Sequence, residues 1–230
     1  MRVTWATEAA PGRPNEDFVA AATGAVVVLD GCSLPLGTDL GCVHGTAWYS
    51  RSLGTRLLAR LLDQPEVPPQ AALAASITDV AASHGPVCDL SHPLTPAATV
   101  VGVRLRGEAV EYVVLADSVL LLGNGRGIEV VTKEHARTYA AAHPAAAQRA
   151  MTGAVPVRDL RWAMLLTDGA SRLADRFGLT DWAGLVRLVE EDGPAVLIDR
   201  TREAERSDPY GDRWPRGKRH DDATVAYCLF

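Results

Sequence analysis

No apolar stretch in this chain approaches the length needed to cross a bilayer. Its opening residues, MRVTWATEAAPGRPNED, hold no apolar leader. The expectation is a cytoplasmic protein with no membrane partner. Cysteine is scarce: the four residues Cys32, Cys42, Cys88 and Cys228 are scattered, with no C-x-x-C pair. That argues against a disulfide framework and predicts reduced thiols. Positive charge is in deficit, 23 Lys and Arg against 28 Asp and Glu, for a formal net charge of −5. Nucleic acid is therefore not expected as the main partner. Repeats and linkers are missing too, so residues 1–230 are expected to form a single domain with a sizeable core.

What is present is a succession of short apolar runs broken by turn residues. VTWAT (3–7) reads as a strand, and FVAAA (18–22) with AVVVLD (25–30) as a hairpin about Thr23-Gly24. Apolar residues at helical spacing run from His44 to Asp63, and QPEVPP ends that pattern before a second helix over 71–84. Four β-rich runs follow, at 98–106, 108–117, 118–124 and 128–133, with Gly-, Asp- and Asn-containing breaks typical of a meander. The Ala-rich stretch from Glu134 to Met151 is predicted helical, interrupted at Pro144. RWAMLLTD (161–168) is a strand, and helices are predicted over 169–175, 180–191 and 194–204. SDPYGDRWPRGKRH (207–220) reads as an exposed loop, and ATVAYCLF (223–230) as a last strand. Strands, helices, strands, helices and strand describe an α+β domain in which helices cover antiparallel sheets.

The acidic residues fall at strand ends. Glu16 and Asp17 precede one strand, Asp30 ends the next, Asp117 lies between two meander strands, Asp168 ends another, and Asp221 and Asp222 precede the last. Such placement can bring the carboxylates to one rim. Clustered carboxylates repel, and burial sharpens the repulsion unless a cation neutralises it. Oxygen ligands suit hard cations, Mg²⁺ or Mn²⁺. Gly31 and Gly169 follow two of these Asp residues, where glycine would let the backbone turn sharply. Taken one at a time, Asp-Gly pairs are also ordinary turn residues.

Taken in order, NED, LDG, an A-T-V strand, ADS, LLTDG and DDATV resemble the metal-dependent protein phosphatases, the type 2C Ser/Thr phosphatases. The resemblance runs from about Arg13 to the last residue. It implies an αββα sandwich, two antiparallel β-sheets flanked by helix pairs, with a two-metal centre at one end. It implies Glu16 (through water), Asp17, the Gly31 carbonyl, Asp168 and Asp221 as metal ligands, with Asp30 bridging two Mn²⁺ or Mg²⁺ ions. The implied reaction is attack of a metal-activated water on a phosphomonoester, phosphoserine or phosphothreonine on a protein, or a small phosphorylated metabolite. The implied actor is a monomer. A pseudophosphatase that binds phosphoprotein without turnover has the same fold.

The chain departs from that pattern at several places. Thr167 stands where the family has Ser, and Asp222 where it has Asn. The family's phosphate-gripping Arg falls on Gly12, with Arg13 one place later; Arg13 takes that role in this reading, and a solvated Arg accounts for it as well. Cys32 occupies the position of a His that serves some members as proton donor, and nothing nearby marks it as reactive. His44 and His220 are near the motifs in sequence only. Asp117 matches a third-metal ligand, but Arg172 stands where a second would be, so it is expected either to block that cation or to offer a fork to phosphate. The short segment between TKEH (132–135) and LLTDG predicts a reduced substrate flap.

Overall fold

A computed structural model describes residues 1–133 and 138–230. The chain forms ten strands and five α-helices among these residues. They are β1 (Arg2–Glu8), β2 (Phe18–Ala22), β3 (Ala25–Gly31), α1 (Gly45–Asp63), α2 (Pro69–Ala82), β4 (Ala98–Arg106), β5 (Ala109–Leu115), β6 (Val119–Asn124), β7 (Gly127–Val131), β8 (Met151–Pro156), β9 (Leu160–Leu166), α3 (Asp168–Asp175), α4 (Trp182–Asp192), α5 (Pro194–Ser207) and β10 (Ala223–Leu229). Two five-stranded antiparallel sheets result, one ordered β1-β10-β9-β6-β7 and the other β2-β3-β4-β5-β8.

The run AVVVLD explains the layering. In β3, Val26 and Val28 face the other sheet, packing with Val101, Val103, Leu120, Leu165 and Ala226. Val27 and Leu29 face the opposite way, onto Leu53, Leu57 and Ile77 of α1 and α2. A strand buried on both faces must be apolar throughout, hence an unbroken run rather than an alternating one. The second sheet is covered in the same manner by α4 and α5, through Leu185, Val189, Leu197 and Ile198 on Leu121, Met164 and Val225. The αββα sandwich is thus as expected. No helix among the described residues is long and apolar enough to span a membrane.

One expectation fails in the segment after β7, and one strand appears there that was not expected. The helix expected over Glu134–Met151 is, among its described residues, only a short 3-10 helix at Pro144–Arg149; its first four residues lie outside the described set. Helix propensity is a weak prior that tertiary context overrides: Ala140 and Ala147 are buried against the α1–α2 core, and Ala140 bridges to Ala98 of β4 in extended form. The edge strand β8 follows, pairing Val110 with Val155 and Val113 with Thr152. An added Cβ on its Gly153 would stand 2.3 Å from the Tyr112 hydroxyl, so the ring would have to shift to admit a larger residue.

Candidate metal centre

The ends of β3 and β9, the β5–β6 turn and the segments entering β2 and β10 meet at one rim of the sandwich. Asp30 sits in register opposite Thr99 at the last rungs of β3–β4. The Thr167 amide donates to the Thr224 carbonyl (3.0 Å), tying the end of β9 to the start of β10. Asp168 is the first residue of α3, where the helix dipole favours negative charge. Ala116 holds a left-handed backbone, φ 67°, a conformation that is strained for a non-glycine residue and that sets the direction of Asp117.

A cleft of about 400 Å³ opens on this rim, lined by Asp30, Gly31, Cys32, Thr99, Asp117, Asp168 and Lys218, with Leu40, Pro93 and Leu94 on one wall. Burial, and then the charges of Asp168, Asp17 and Asp221, push Asp30 well above the usual carboxylate range. Burial and the neighbouring Asp221 push Asp168 up to about 6, against the opposing pull of Arg172 and Lys218. Asp17 is likewise well above its ordinary value, through burial first and the charges of Asp222 and Asp168 after it. Each carboxylate therefore prefers a proton, or another cation, to bare ionisation.

The surrounding hydrogen bonds hold these groups in place. Asp17 Oδ2 accepts from the Thr167 hydroxyl (2.9 Å) and the Thr224 hydroxyl (2.8 Å). Asp222 accepts the backbone N–H of Ala10 on Oδ1 and of Glu16 on Oδ2, both at 2.7 Å, so it clamps the segment carrying Glu16 and Asp17. Asp221 accepts from Arg172 (3.1 Å) and from Lys218 (2.9 Å). Burial lowers the proton affinity of the Lys218 ammonium, but Asp221, Asp168 and Asp30 more than offset this and hold it above its ordinary value.

The two Asp-Gly pairs are explained by close approach rather than by a turn. A Cβ on Gly31 would lie 2.5 Å from the Glu16 carbonyl oxygen, and one on Gly169 would lie 1.9 Å from that of Asp222. Neither glycine is among those with positive φ. The sharp turn expected at these positions is corrected accordingly: both glycines make room for a neighbouring backbone that carries acidic residues.

The site residues expected from the sequence are distributed as follows. Asp30, Gly31, Asp117 and Asp168 line the cleft. Asp17 reaches the same cluster through its charge coupling to Asp30, and Asp221 through Lys218 and Arg172. Arg13 donates to the Leu34 carbonyl (2.6 Å) and lies 3.8 Å from Glu16, lining an adjoining groove. The Arg172 guanidinium is buried and engaged by Glu205 (2.7 Å), Asp221 (3.1 Å) and Asp168 (3.9 Å). Burial first and Asp30 second push the Cys32 thiol far up, which disfavours its thiolate. His220 is paired with Glu205 at 2.6 Å, away from the cleft lining. Lys218 is the cleft residue that sequence reasoning left in the exposed 207–220 loop; its place three residues before Asp221 was the available signal.

The donor set fits hard divalent cations. Asp17 Oδ1 and Glu16 Oε2 are buried with no hydrogen-bond partner, which is costly for carboxylate oxygens unless a cation meets them. All the donors are oxygens, from the end of β3, the start of α3 and the segments entering β2 and β10, the ligand type that suits Mn²⁺ or Mg²⁺.

The fold is that of the type 2C Ser/Thr phosphatases of bacteria. The chain superposes over its full length on PppA, a regulatory component of the type VI secretion system of Pseudomonas aeruginosa, with 97% of that chain covered, TM-score 0.67 and 19% identity. It covers 98% of itself and 96% of the catalytic domain of the Ser/Thr phosphatase PstP, solved with two manganese ions, at TM-score 0.62 and 16% identity. For the Ser/Thr phosphatase Stp1 of Staphylococcus aureus the values are 99%, 94%, 0.61 and 13%. No protein-family profile and no curated protein matches the chain in sequence.

Proposed function

We propose that this chain hydrolyses phosphomonoesters, phosphoserine and phosphothreonine on proteins foremost, with two divalent cations, Mn²⁺ or Mg²⁺, held by Asp17, Asp30, Gly31, Asp168 and Asp221, with Glu16 beside them. The observation that supports this reading best is the carboxylate rim whose members are driven toward neutrality by burial first and by one another second while two of its oxygens lack hydrogen-bond partners. When bound, such cations make water acidic enough to supply hydroxide near neutral pH and offset charge on the phosphoryl oxygens. The chain's own part is orientation. Asp30 is fixed by its strand, Asp17 by two threonine hydroxyls, and the Asp17 segment by the Asp222 clamp. Lys218 places an ammonium in the cleft beside Asp30 and Asp168. We assign it the phosphate-facing charge, since the Lys218 side chain lines the cleft and is 40% exposed although Asp221 holds it, whereas Arg172 is 8% exposed and held by both Glu205 and Asp221.

A second reading has its own support. Both oxygens of Asp221 are met by the chain's own cations, Arg172 and Lys218, so that part of the rim is neutralised internally, as suits a phosphoprotein-binding domain without turnover. The test is release of phosphate from p-nitrophenyl phosphate and from phosphopeptides with Mn²⁺, Mg²⁺ or chelator, on wild type and Asp30→Asn. Metal-dependent release that falls at least about 100-fold in a folded Asp30→Asn variant is expected, because this carboxylate is shared by both cations. Chelator-insensitive release, or no release together with no calorimetric Mn²⁺ binding, would sink the two-cation reading.

A further inference from the structure

The β3–α1 loop and the α2–β4 loop are poorly supplied with core. None of residues 32–44 and none of residues 83–95 is buried. Yet both form a wall of the cleft, through Leu34, Leu40, Pro93 and Leu94. They also keep a fixed relation to each other. The Asp89 amide donates to the Gly41 carbonyl at 2.6 Å. Gly41 has φ +63° and lies so close to His92 that a Cβ would stand 2.5 Å from the His92 Cβ.

Between these loops four soft ligands converge. Cys42 Sγ is 3.7 Å from Cys88 Sγ, 3.5 Å from His44 Nδ1 and 3.9 Å from His84 Nε2, and Cys88 Sγ is 3.4 Å from His44 Nδ1. With Zn–S about 2.3 Å and Zn–N about 2.0 Å, a tetrahedral site has S···S edges of about 3.8 Å and S···N edges of about 3.5 Å. These four edges are close to those of that tetrahedron, and the ligand atoms of Cys42, His44 and His84 all lie within 4.8 Å of one another. The ligands are carried in two short pairs, C-x-H (Cys42, His44) just before α1 and H-x₃-C (His84, Cys88) just after α2. Trp48 stacks on His44 with centroids 4.2 Å apart and meets His84 edge-on at 4.9 Å, fixing both imidazoles.

We propose that Cys42, His44, His84 and Cys88 form a structural zinc site that fastens the β3–α1 loop to the α2–β4 loop and so fixes one wall of the cleft. Thiolate and imidazole select zinc over the hard cations that suit the carboxylate rim, so the chain would carry two chemically distinct kinds of metal site. Zinc binding releases the two thiol protons to solvent, and two thiolates with two neutral imidazoles balance the charge of the ion. A staple of this kind supplies the loops with the order that apolar burial does not.

The experiment uses the full chain, purified under reducing conditions, with metal content measured by mass spectrometry and Co²⁺ as a spectroscopic substitute. We expect one zinc per chain, a thiolate-to-cobalt charge-transfer band with tetrahedral d–d absorption, loss of both in Cys88→Ser and His84→Ala, and retention of both in Asp30→Asn. Absence of zinc and of the cobalt band from the reduced wild type would overturn the proposal, whether or not the variants fold. So would zinc lost in Asp30→Asn but kept in Cys88→Ser, which would place the ion on the carboxylate rim. A Cys42–Cys88 disulfide in protein purified without reductant, with no metal bound after reduction, would overturn it as well.

Discussion

Replacing Asp168 by Asn should stabilise the metal-free protein, although it removes a residue that the proposed chemistry requires. In the folded chain Asp168 is held at about 6 rather than its ordinary 3.8. At about 1.4 kcal/mol for each tenfold change in proton affinity, ionising it after folding costs about 3 kcal/mol more than before. The side chain is 43% exposed, so water screens much of that, and the expected cost is about 1–1.5 kcal/mol. The opposing pull of Arg172 and Lys218 is already contained in the net direction. Because the folded-state value is raised, the stabilising form is the protonated one. That stability is complete below the ordinary value and is lost as pH rises through about 6. Thermal melts in chelator should therefore rank Asp168→Asn above wild type by about 2–6 °C near pH 7.5, with the gap closing below about pH 4. Added Mn²⁺ should reverse the order, since ligand at a hundredfold excess over Kd contributes about 2.7 kcal/mol to the protein that binds it. An Asp168→Asn variant that melts below wild type in chelator at both pH values would refute the reasoning.

Two further outcomes follow from the supporting contacts. Thr167→Val removes the hydroxyl that donates to Asp17 at 2.9 Å and accepts from the Thr224 amide; Mn²⁺ affinity measured by calorimetry should fall about 10–100-fold with circular dichroism unchanged, and an unaltered Kd would count against Asp17 as a ligand. Gly169→Ala places a Cβ 1.9 Å from the Asp222 carbonyl oxygen and should cost about 1–3 kcal/mol, read as a lower Tm; an unchanged Tm would show that the approach is not as close as described.

Much of this architecture was legible because its strands are long, apolar and ended by turn residues. AVVVLD had to be a buried strand, and the succession from NED to DDATV had to bring its carboxylates to strand ends. What stayed hidden depends on partners far apart in sequence. Lys218 looked like one charge in an exposed loop, and only folding lays it between Asp30, Asp168 and Asp221. Asp222 read as an irregular replacement for Asn, whereas its two oxygens span from β10 back to Ala10 and Glu16. Strand β8 was lost under the neighbouring alanines, because an edge strand containing Gly153 and ending at Pro156 carries little propensity of its own. The Cys and His ligands passed as scattered residues since a search for C-x-x-C pairs overlooks C-x-H and H-x₃-C halves separated by two helices.

The pairing of β1 with β10, from Arg2 opposite Leu229 to Glu8 opposite Ala223, bears on the making of the protein as well as on its final shape. Strand β1 precedes β10 by nearly all of the other elements, and until β10 is made β1 has no neighbour in its sheet. The growing polypeptide meanwhile exposes Asp17, Asp30 and Asp168 without the Asp222 clamp that positions the segment of Glu16 and Asp17, and without β10 between β1 and β9. Contacts spanning so much of the chain close slowly. The rim is thus completed in one step: a chain made only as far as α5 has neither the strand that joins β1 to β9 nor the Asp221 and Asp222 that lead into it, so the order of the elements along the chain sets when the acidic rim is assembled.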